Sequence, residues 1–76
     1  MKTADEMFEE LGYTIQKNGN EKMIYYEYYN KNTKDIIQFW YDKTISKYNN
    51  EDESDYISMQ ELQAINKKVE ELGWIK

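Results

Sequence analysis

The sequence predicts an α+β fold, in which an antiparallel sheet of three or four strands is covered on one face by two helices. Apolar side chains recur at helical spacing near each end of the chain and alternate with polar ones in the middle. Turn-forming residues separate these stretches. The chain has 76 residues, enough for one small domain, and no linker interrupts it. We therefore expect one domain over residues 1–76, a two-layer α-β-β-β(-β)-α sandwich that buries both helical stripes against the sheet.

The first helix has a start signal and a stop signal. Thr3 and Glu6 show the pattern of a capping box, in which each side chain accepts a hydrogen bond from the backbone N–H of the other residue. Gly12 can adopt the left-handed conformation that commonly follows a helix. The apolar residues between these signals share one helical face: Ala4, Met7, Phe8 and Leu11.

The second helix carries the same two signals. Ser58 and Glu61 form a second capping box, and Gly73 ends the helix. The residue after this glycine, Trp74, is placed to fold back on Val69. The apolar stripe consists of Met59, Leu62, Ile65, Val69 and Leu72.

Between the helices the apolar period changes to two, which is typical of strands. Asn18-Gly19 is a strong hairpin signal. Asp42-Lys43 forms either a tight turn before a fourth strand or the point at which the third strand bends. The predicted strands are Tyr13–Lys17, Glu21–Asn30, Asp35–Tyr41 and, in the four-stranded alternative, Thr44–Tyr48.

Alternation along the second and third strands divides their side chains between the two faces of the sheet. We assign one set to the core under the helices: Ile24, Tyr26, Tyr28, Ile37, Phe39 and Tyr41. The opposite, open face then carries Tyr25, Tyr29, Ile36 and Trp40. Because Tyr and Trp often dominate the energetics of protein interfaces, these four are the candidate partner-binding residues. In the alternative interpretation they only pair across strands and stabilise the sheet.

The composition excludes several classes of site. Cys and His are absent, which excludes a thiol nucleophile, a Ser-His-Asp triad and an ordinary zinc or iron–sulfur centre. The three glycines do not form a nucleotide-binding motif. Helical carboxylates such as Glu9 and Glu10 could in principle pair as acid and base, but such side chains are normally solvated. We therefore expect no enzyme activity, no cofactor and no metal.

The acidic stretch from Glu51 to Asp55 is a second candidate site. It could bind Ca²⁺, or imitate the phosphates of a nucleic acid and block a DNA-binding protein. It lacks the glycine and the ligand spacing of a calcium loop. Acidic residues before a helix N-terminus favour the helix dipole and keep a small protein in solution, and this is the simpler interpretation.

Nucleic acid is an alternative partner, because the α-β-β-β-α order is that of the double-stranded RNA-binding domain. In that domain the second helix presents a basic N-terminus to phosphate, whereas here four acidic residues precede Ser58 closely. The formal net charge of −5 also disfavours nucleic acids and anionic membranes. No stretch has the apolar core of a signal peptide or of a membrane-spanning helix, so we expect a cytoplasmic protein.

The segments Thr3–Tyr13 and Ile57–Trp74 resemble the two ends of a family of small proteins encoded by phages and prophages of low-GC Gram-positive bacteria. The middle of the chain, including Thr44–Tyr48, resembles the variable strand region of that family. The abundance of residues with AT-rich codons, such as Lys, Asn, Ile and Tyr, agrees with such a source. The resemblance implies a genomic setting and no catalytic residues.

Together, these features predict a small, non-enzymatic phage or prophage accessory protein that binds a host or viral protein through the open face. Inhibition of a host defence or replication factor is one version of this hypothesis. Two alternatives stay open. One is a nucleic-acid-binding module, and the other is a homodimer formed through the sheet face or the long strand Glu21–Asn30, since edge strands invite such pairing.

Overall fold

The computed structural model describes residues 2–18, 24–49 and 56–75, and within them it contains two helices and four strands. This confirms the predicted α+β class. The predicted Asn18-Gly19 turn extends beyond the described residues, and the acidic stretch 51–55 lies outside them. The elements in chain order are α1 (Ala4–Glu10), β1 (Tyr13–Asn18), β2 (Ile24–Asn30), β3 (Asp35–Trp40), β4 (Ile45–Asn49) and α2 (Met59–Glu71).

The four strands form one antiparallel sheet in the order β1-β2-β3-β4, so β1 and β4 lie at its edges. The four-stranded alternative is therefore the correct one, and a tight turn separates β3 from β4. In this turn the Lys43 N–H donates to the Trp40 carbonyl oxygen at 3.0 Å, and Lys43 has a φ of +69°. The third strand ends at Trp40, one residue earlier than predicted, because the chain turns at Tyr41.

Both predicted capping boxes are present. At α1, the Thr3 hydroxyl accepts from the Glu6 N–H at 3.2 Å, and the Glu6 carboxylate accepts from the Thr3 N–H at 2.8 Å. Ser58 and Glu61 make the equivalent pair at α2, with distances of 3.1 and 2.8 Å. The local sequence is sufficient to set these helix starts, because each box satisfies two backbone donors without help from the rest of the fold.

The two helix-ending glycines differ in their surroundings. Gly12 has a φ of +96°, and a Cβ added to it would lie 3.0 Å from Nδ2 of Asn30. That amide donates to the Leu11 carbonyl oxygen at 2.9 Å, so it is fixed by the helix end itself. Gly73 has a φ of +76°, but nothing lies within 4 Å of an added Cβ.

We expect Gly12→Ala to destabilise the protein by about 2 kcal/mol and Gly73→Ala by about 1 kcal/mol. Both substitutions force an L-residue into the left-handed region, but only the first also displaces the Asn30 amide. Urea denaturation followed by circular dichroism measures both values. Equal losses for the two variants would show that the contact with Asn30 contributes nothing.

The core lies between the sheet and the two helices, which pack on the same face. The Phe8 ring of α1 stacks on the Tyr28 ring of β2, with centroids 4.0 Å apart and an interplanar angle of 19°. On the sheet, Tyr28, Ile37 and Phe39 are buried, as predicted. The buried apolar cluster comprises Phe8, Tyr13, Tyr28, Ile37, Phe39, Ala64, Ile65 and Val69.

Two of the predicted core residues lie elsewhere. Tyr41 follows the end of β3 and is 45% exposed, because the chain leaves the sheet before it. Ile24 is paired with Trp40 across the strands and so shares the open face with it. The reason is a β-bulge between Ile24 and Tyr26, which inserts one extra residue and reverses the face of everything before it. Tyr26, after the bulge, is half-buried against the core as predicted.

Neither helix of the described part of the chain is long and apolar enough to cross a membrane. α2, the longer of the two, has 13 residues and buries the charged side chains of Glu61 and Lys68. The face of α2 that packs against the rest of the protein therefore contains charged side chains as well as apolar ones. The partners of these charges are described with the site.

Candidate functional site

The open face of the sheet is the side opposite α1 and α2. The strand register assigns nine positions with described side chains to it, and they form successive rows across the strands. One apolar row crosses three strands, because Tyr29 is paired with Ile36 and Ile36 with Tyr48. Tyr29 and Ile36 are half-buried by their neighbours, while Tyr48 on the edge strand is 41% exposed.

A polar row follows, two residues further along each strand. It contains Glu27, Gln38 and Ser46, which are paired across β2, β3 and β4. The Gln38 amide donates to the Glu27 carboxylate at 2.6 Å, and its oxygen accepts from the Ser46 hydroxyl at 3.2 Å. Gln38 is only 7% exposed. Gln38 and Ser46 are therefore bonded within the row, and the Glu27 carboxylate, which can accept more than one hydrogen bond, is held in place by the Gln38 amide.

The second apolar row consists of Trp40 and Ile24, which are paired across β3 and β2. The Trp40 indole N–H donates to the Ser46 hydroxyl at 3.0 Å, which ties this row to the polar one. Trp40 is half-buried and lies on the open face, as predicted. The face thus alternates an apolar row, a row of mutually bonded polar groups and a second apolar row.

Of the four predicted partner-binding residues, the structure groups Tyr29, Ile36 and Trp40 on the open face but separates Tyr25 from them. Tyr25 is the extra residue of the bulge in β2. Its ring centroid lies 4.9 Å from that of Tyr26, on the helix side, and 5.0 Å from that of Tyr41. The assignment of Tyr25 to the open face is therefore corrected, because adjacent residues in a bulge can point to the same side.

The sequence-based set also missed Tyr48. It falls in the fourth strand, which the sequence left as an alternative to a bend. Once β4 is accepted, strict alternation places Tyr48 on the same face as Ser46 and opposite Lys47. The available signal was thus the period of two in residues 44–48.

On the other face, the N-terminal end of α2 is held by a buried ion pair. The Glu61 carboxylate accepts from the Tyr13 hydroxyl at 2.6 Å and from Lys47 Nζ at 3.0 Å. Lys47 also donates to the Tyr56 carbonyl oxygen at 2.6 Å, and its Nζ lies 4.0 Å from Asp35. Since Glu61 also caps α2, this cluster joins β1, β4 and the helix start.

The C-terminal half of α2 is held by a second buried charge. Lys68 is 4% exposed, and its Nζ lies 3.4 Å from the centroid of the Tyr26 ring and 3.4 Å from Oδ1 of Asp5. The Tyr28 hydroxyl donates to the same Asp5 oxygen. Nearby, the backbone N–H of Ala4 donates to the Glu71 carboxylate at 2.8 Å. These contacts connect α1, α2 and β2 and account for a lysine within the core.

Burial raises the pKa of the Tyr13 and Tyr28 phenols above their usual value of 10.0, and hydrogen bonds to Glu61 and Asp5 raise it further. As the pH rises above 10, both phenols therefore stay protonated in the folded protein while they ionise in the unfolded chain. Their stabilising contribution is complete below pH 10 and is lost as the pH rises above it.

We expect the free energy of unfolding to fall above pH 10 by about 1.4 kcal/mol per pH unit for each of these two phenols. Urea denaturation between pH 8 and pH 12 measures the slope. Each of the variants Tyr13→Phe and Tyr28→Phe should reduce this slope by the contribution of one phenol, about 1.4 kcal/mol per pH unit. A slope unchanged in both variants would contradict the assignment of the alkaline transition to these side chains.

The remaining surface offers less. Among the described residues, no group of three or more acidic side chains converges as a metal site would require. A surface cleft of about 380 Å³ lies between the helices, lined by residues such as Met7, Leu11 and Gln63, and its rim lysine Lys2 is paired with Glu10. The open face is the broader surface and combines apolar rows with a fixed polar row. No family model, curated protein or solved structure matches this chain.

Proposed function

We propose that the protein is a non-enzymatic binding module that engages another protein through the open face of its sheet. The residues that make the contact are Tyr29, Ile36, Trp40 and Tyr48. The observation that supports this is the pair of apolar rows on either side of polar groups that are already bonded to one another. A partner can cover Gln38 and Ser46 without leaving them unpaired, because each is already hydrogen-bonded within the row.

The charge of the open face favours a protein over a nucleic acid. Among the described side chains, its one charged residue is Glu27 on the interior strand β2, within a chain of net charge −5. Binding to phosphates needs a basic stripe or patch, and no basic residue is among the described side chains of the open face. The aromatic rows match the anchor residues that are enriched in protein interfaces.

The resemblance to phage and prophage proteins supports a setting for this activity. In that setting the protein works in the cytoplasm of a bacterial cell, and the partner is a host protein or another phage protein. Interference with a host defence or replication factor is one version of this setting, and it needs none of the Cys or His chemistry that the sequence lacks.

A matched pair of double variants tests the proposal. Ile36→Gln with Tyr48→Gln removes one aliphatic and one large side chain from the open face. Met59→Gln with Leu62→Gln removes two exposed apolar side chains from α2, which are 65% and 39% exposed. Neither double variant changes the net charge, so electrostatic attraction is the same in both.

We expect a tagged wild-type protein to capture a protein partner from nuclease-treated lysate of a low-GC Gram-positive host or of phage-infected cells. The α2 variant should retain that partner, and the open-face variant should lose it while keeping the circular dichroism spectrum of the wild type. Retention of the partner by the open-face variant would contradict the proposal. Capture seen only in a parallel lysate without nuclease would instead favour nucleic acid, and a concentration-dependent dimer that covers the face would favour self-association.

A further inference from the structure

The middle of the open face carries a carboxylate between two apolar rows. Glu27 lies on β2, an interior strand, and is half-buried. Its carboxylate is held in place by the Gln38 amide at 2.6 Å. One apolar row lies on each side of it, with Tyr29 in one and Ile24 in the other.

The size of the face limits what can cover it. Four strands of five to seven residues give a footprint of about 19 by 20 Å, or about 400 Å² per partner. A standard stable interface buries about 800 Å² on each side, so a contact of this area is a weak one with any partner, a second copy included. A second copy would bring another net charge of −5 and the same acidic residue. The charge therefore disfavours self-association through this face.

The face also limits the secondary structure of its partner. A sheet face presents side chains and no backbone donors or acceptors, unlike a sheet edge. A single extended segment laid on it would bury backbone polar groups without partners, which is costly. A helix satisfies its own backbone, and about 13 residues span the 20 Å length of the face.

The spacing of the rows matches the rise of a helix. On β3, which is regular, successive rows are two residues apart, or about 6.8 Å. Side chains four residues apart on a helix are about 6 Å apart along its axis and lie near one face. A helix with apolar side chains at positions i and i+8 would place one on each apolar row. A basic side chain at position i+4 would then lie over Glu27.

We infer that the partner of the open face is an amphipathic helix whose basic side chain, set between two apolar turns, binds Glu27. This inference rests on the proposed function of the face and adds the chemistry of its partner. Glu27 acts as the specificity-determining contact, because the apolar rows alone would accept any apolar helix.

Two helical peptides of about 13 residues test this inference. Both carry leucine at positions i and i+8 in an alanine- and glutamine-rich sequence, and they differ only at i+4, where one has arginine and the other glutamate. Binding is followed by nuclear magnetic resonance through the Trp40 indole N–H and the backbone N–H of Glu27. Glu27→Gln removes the charge but keeps an oxygen that can accept from Gln38.

We expect the arginine peptide to bind the wild-type protein about tenfold more tightly than the glutamate peptide. Glu27→Gln should bring the two affinities to within about twofold of each other, and the Ile36→Gln, Tyr48→Gln variant should weaken both peptides. Equal binding of the two peptides to the wild-type protein would overturn the inference while leaving the proposed function of the face intact. No response to the arginine peptide would also overturn it, whereas the proposed function is decided by the capture experiment.

Discussion

Replacement of Phe8 by alanine is expected to unfold the protein at 25 °C. Phe8 has no exposed surface and makes ring contacts with three strands of the sheet. Its ring stacks on Tyr28 and meets the rings of Tyr13 and Phe39 edge-on, at centroid distances of 5.6 and 6.3 Å. Truncation of a buried Phe to Ala typically costs about 3–5 kcal/mol. A disulfide-free domain of this size has only about 3–5 kcal/mol in total.

Circular dichroism and a urea titration of Phe8→Ala measure this effect. The matched control is Tyr56→Ala, since Tyr56 is 77% exposed and its substitution should change the free energy of unfolding by less than about 0.5 kcal/mol. The backbone carbonyl of Tyr56 that accepts from Lys47 is unchanged in this control. A cooperative transition in Phe8→Ala within 1 kcal/mol of the wild type would show that α1 contributes little to the fold.

The second large effect is expected from Glu61→Leu. The carboxylate of Glu61 accepts hydrogen bonds from Tyr13, Lys47 and the Ser58 backbone, and the side chains of Glu61 and Lys47 are 11% and 10% exposed. Removing one member of a buried ion pair leaves the other charge without compensation, at a cost of about 3–5 kcal/mol. We therefore expect Glu61→Leu to be nearly as disruptive as Phe8→Ala.

A double-mutant cycle separates the ion pair from the helix cap. Adding Lys47→Met to Glu61→Leu should restore most of the lost stability, because the uncompensated charge is removed as well. Ser58→Ala removes only its hydroxyl from the capping box and should cost about 1 kcal/mol. If the losses of Glu61→Leu and Lys47→Met simply add, the two side chains are not coupled, contrary to the structure.

The same pair has a defined pH dependence. Burial alone would raise the pKa of Glu61, but hydrogen bonds from Tyr13, Ser58 and Lys47 together with the charge of Lys47 lower it below its usual value of 4.5. The carboxylate therefore stabilises the fold fully above pH 4.5. Its contribution is lost as the pH falls through the lowered value, so the acid limb of stability belongs in part to Glu61.

The sequence was sufficient where structure is determined by neighbours in the chain. The capping boxes at Thr3 and Ser58 and the glycine stop at Gly73 are local interactions, and all three are present. Alternation also placed Tyr28, Ile37 and Phe39 in the core, because these residues follow the bulge in β2 or lie on regular β3.

The sequence was insufficient where structure depends on pairing between distant segments. The bulge at Tyr25 depends on the register between β2 and β3, and no residue type in β2 predicts it. No sequence pattern predicts the burial of Gln38, Glu61 and Lys68, which are buried because each finds a partner on another element. The predicted apolar set of the open face therefore loses Tyr25 and gains Ile24 and Tyr48, whereas Tyr29, Ile36 and Trp40 lie where alternation placed them.

The position of Lys47 has a consequence for aggregation. β4 is an edge strand, and edge strands tend to recruit strands from other molecules into growing assemblies. Lys47 lies at the centre of this strand, points towards the helices and is paired with Glu61. A strand added beside β4 would bury the Lys47 charge more deeply, which disfavours the addition. The bulge between Ile15 and Lys17 distorts β1, the other edge strand, and so also hinders the addition of a strand from another molecule. An apolar replacement of the Lys47–Glu61 pair would therefore recover thermodynamic stability while giving up protection against fibril-like association.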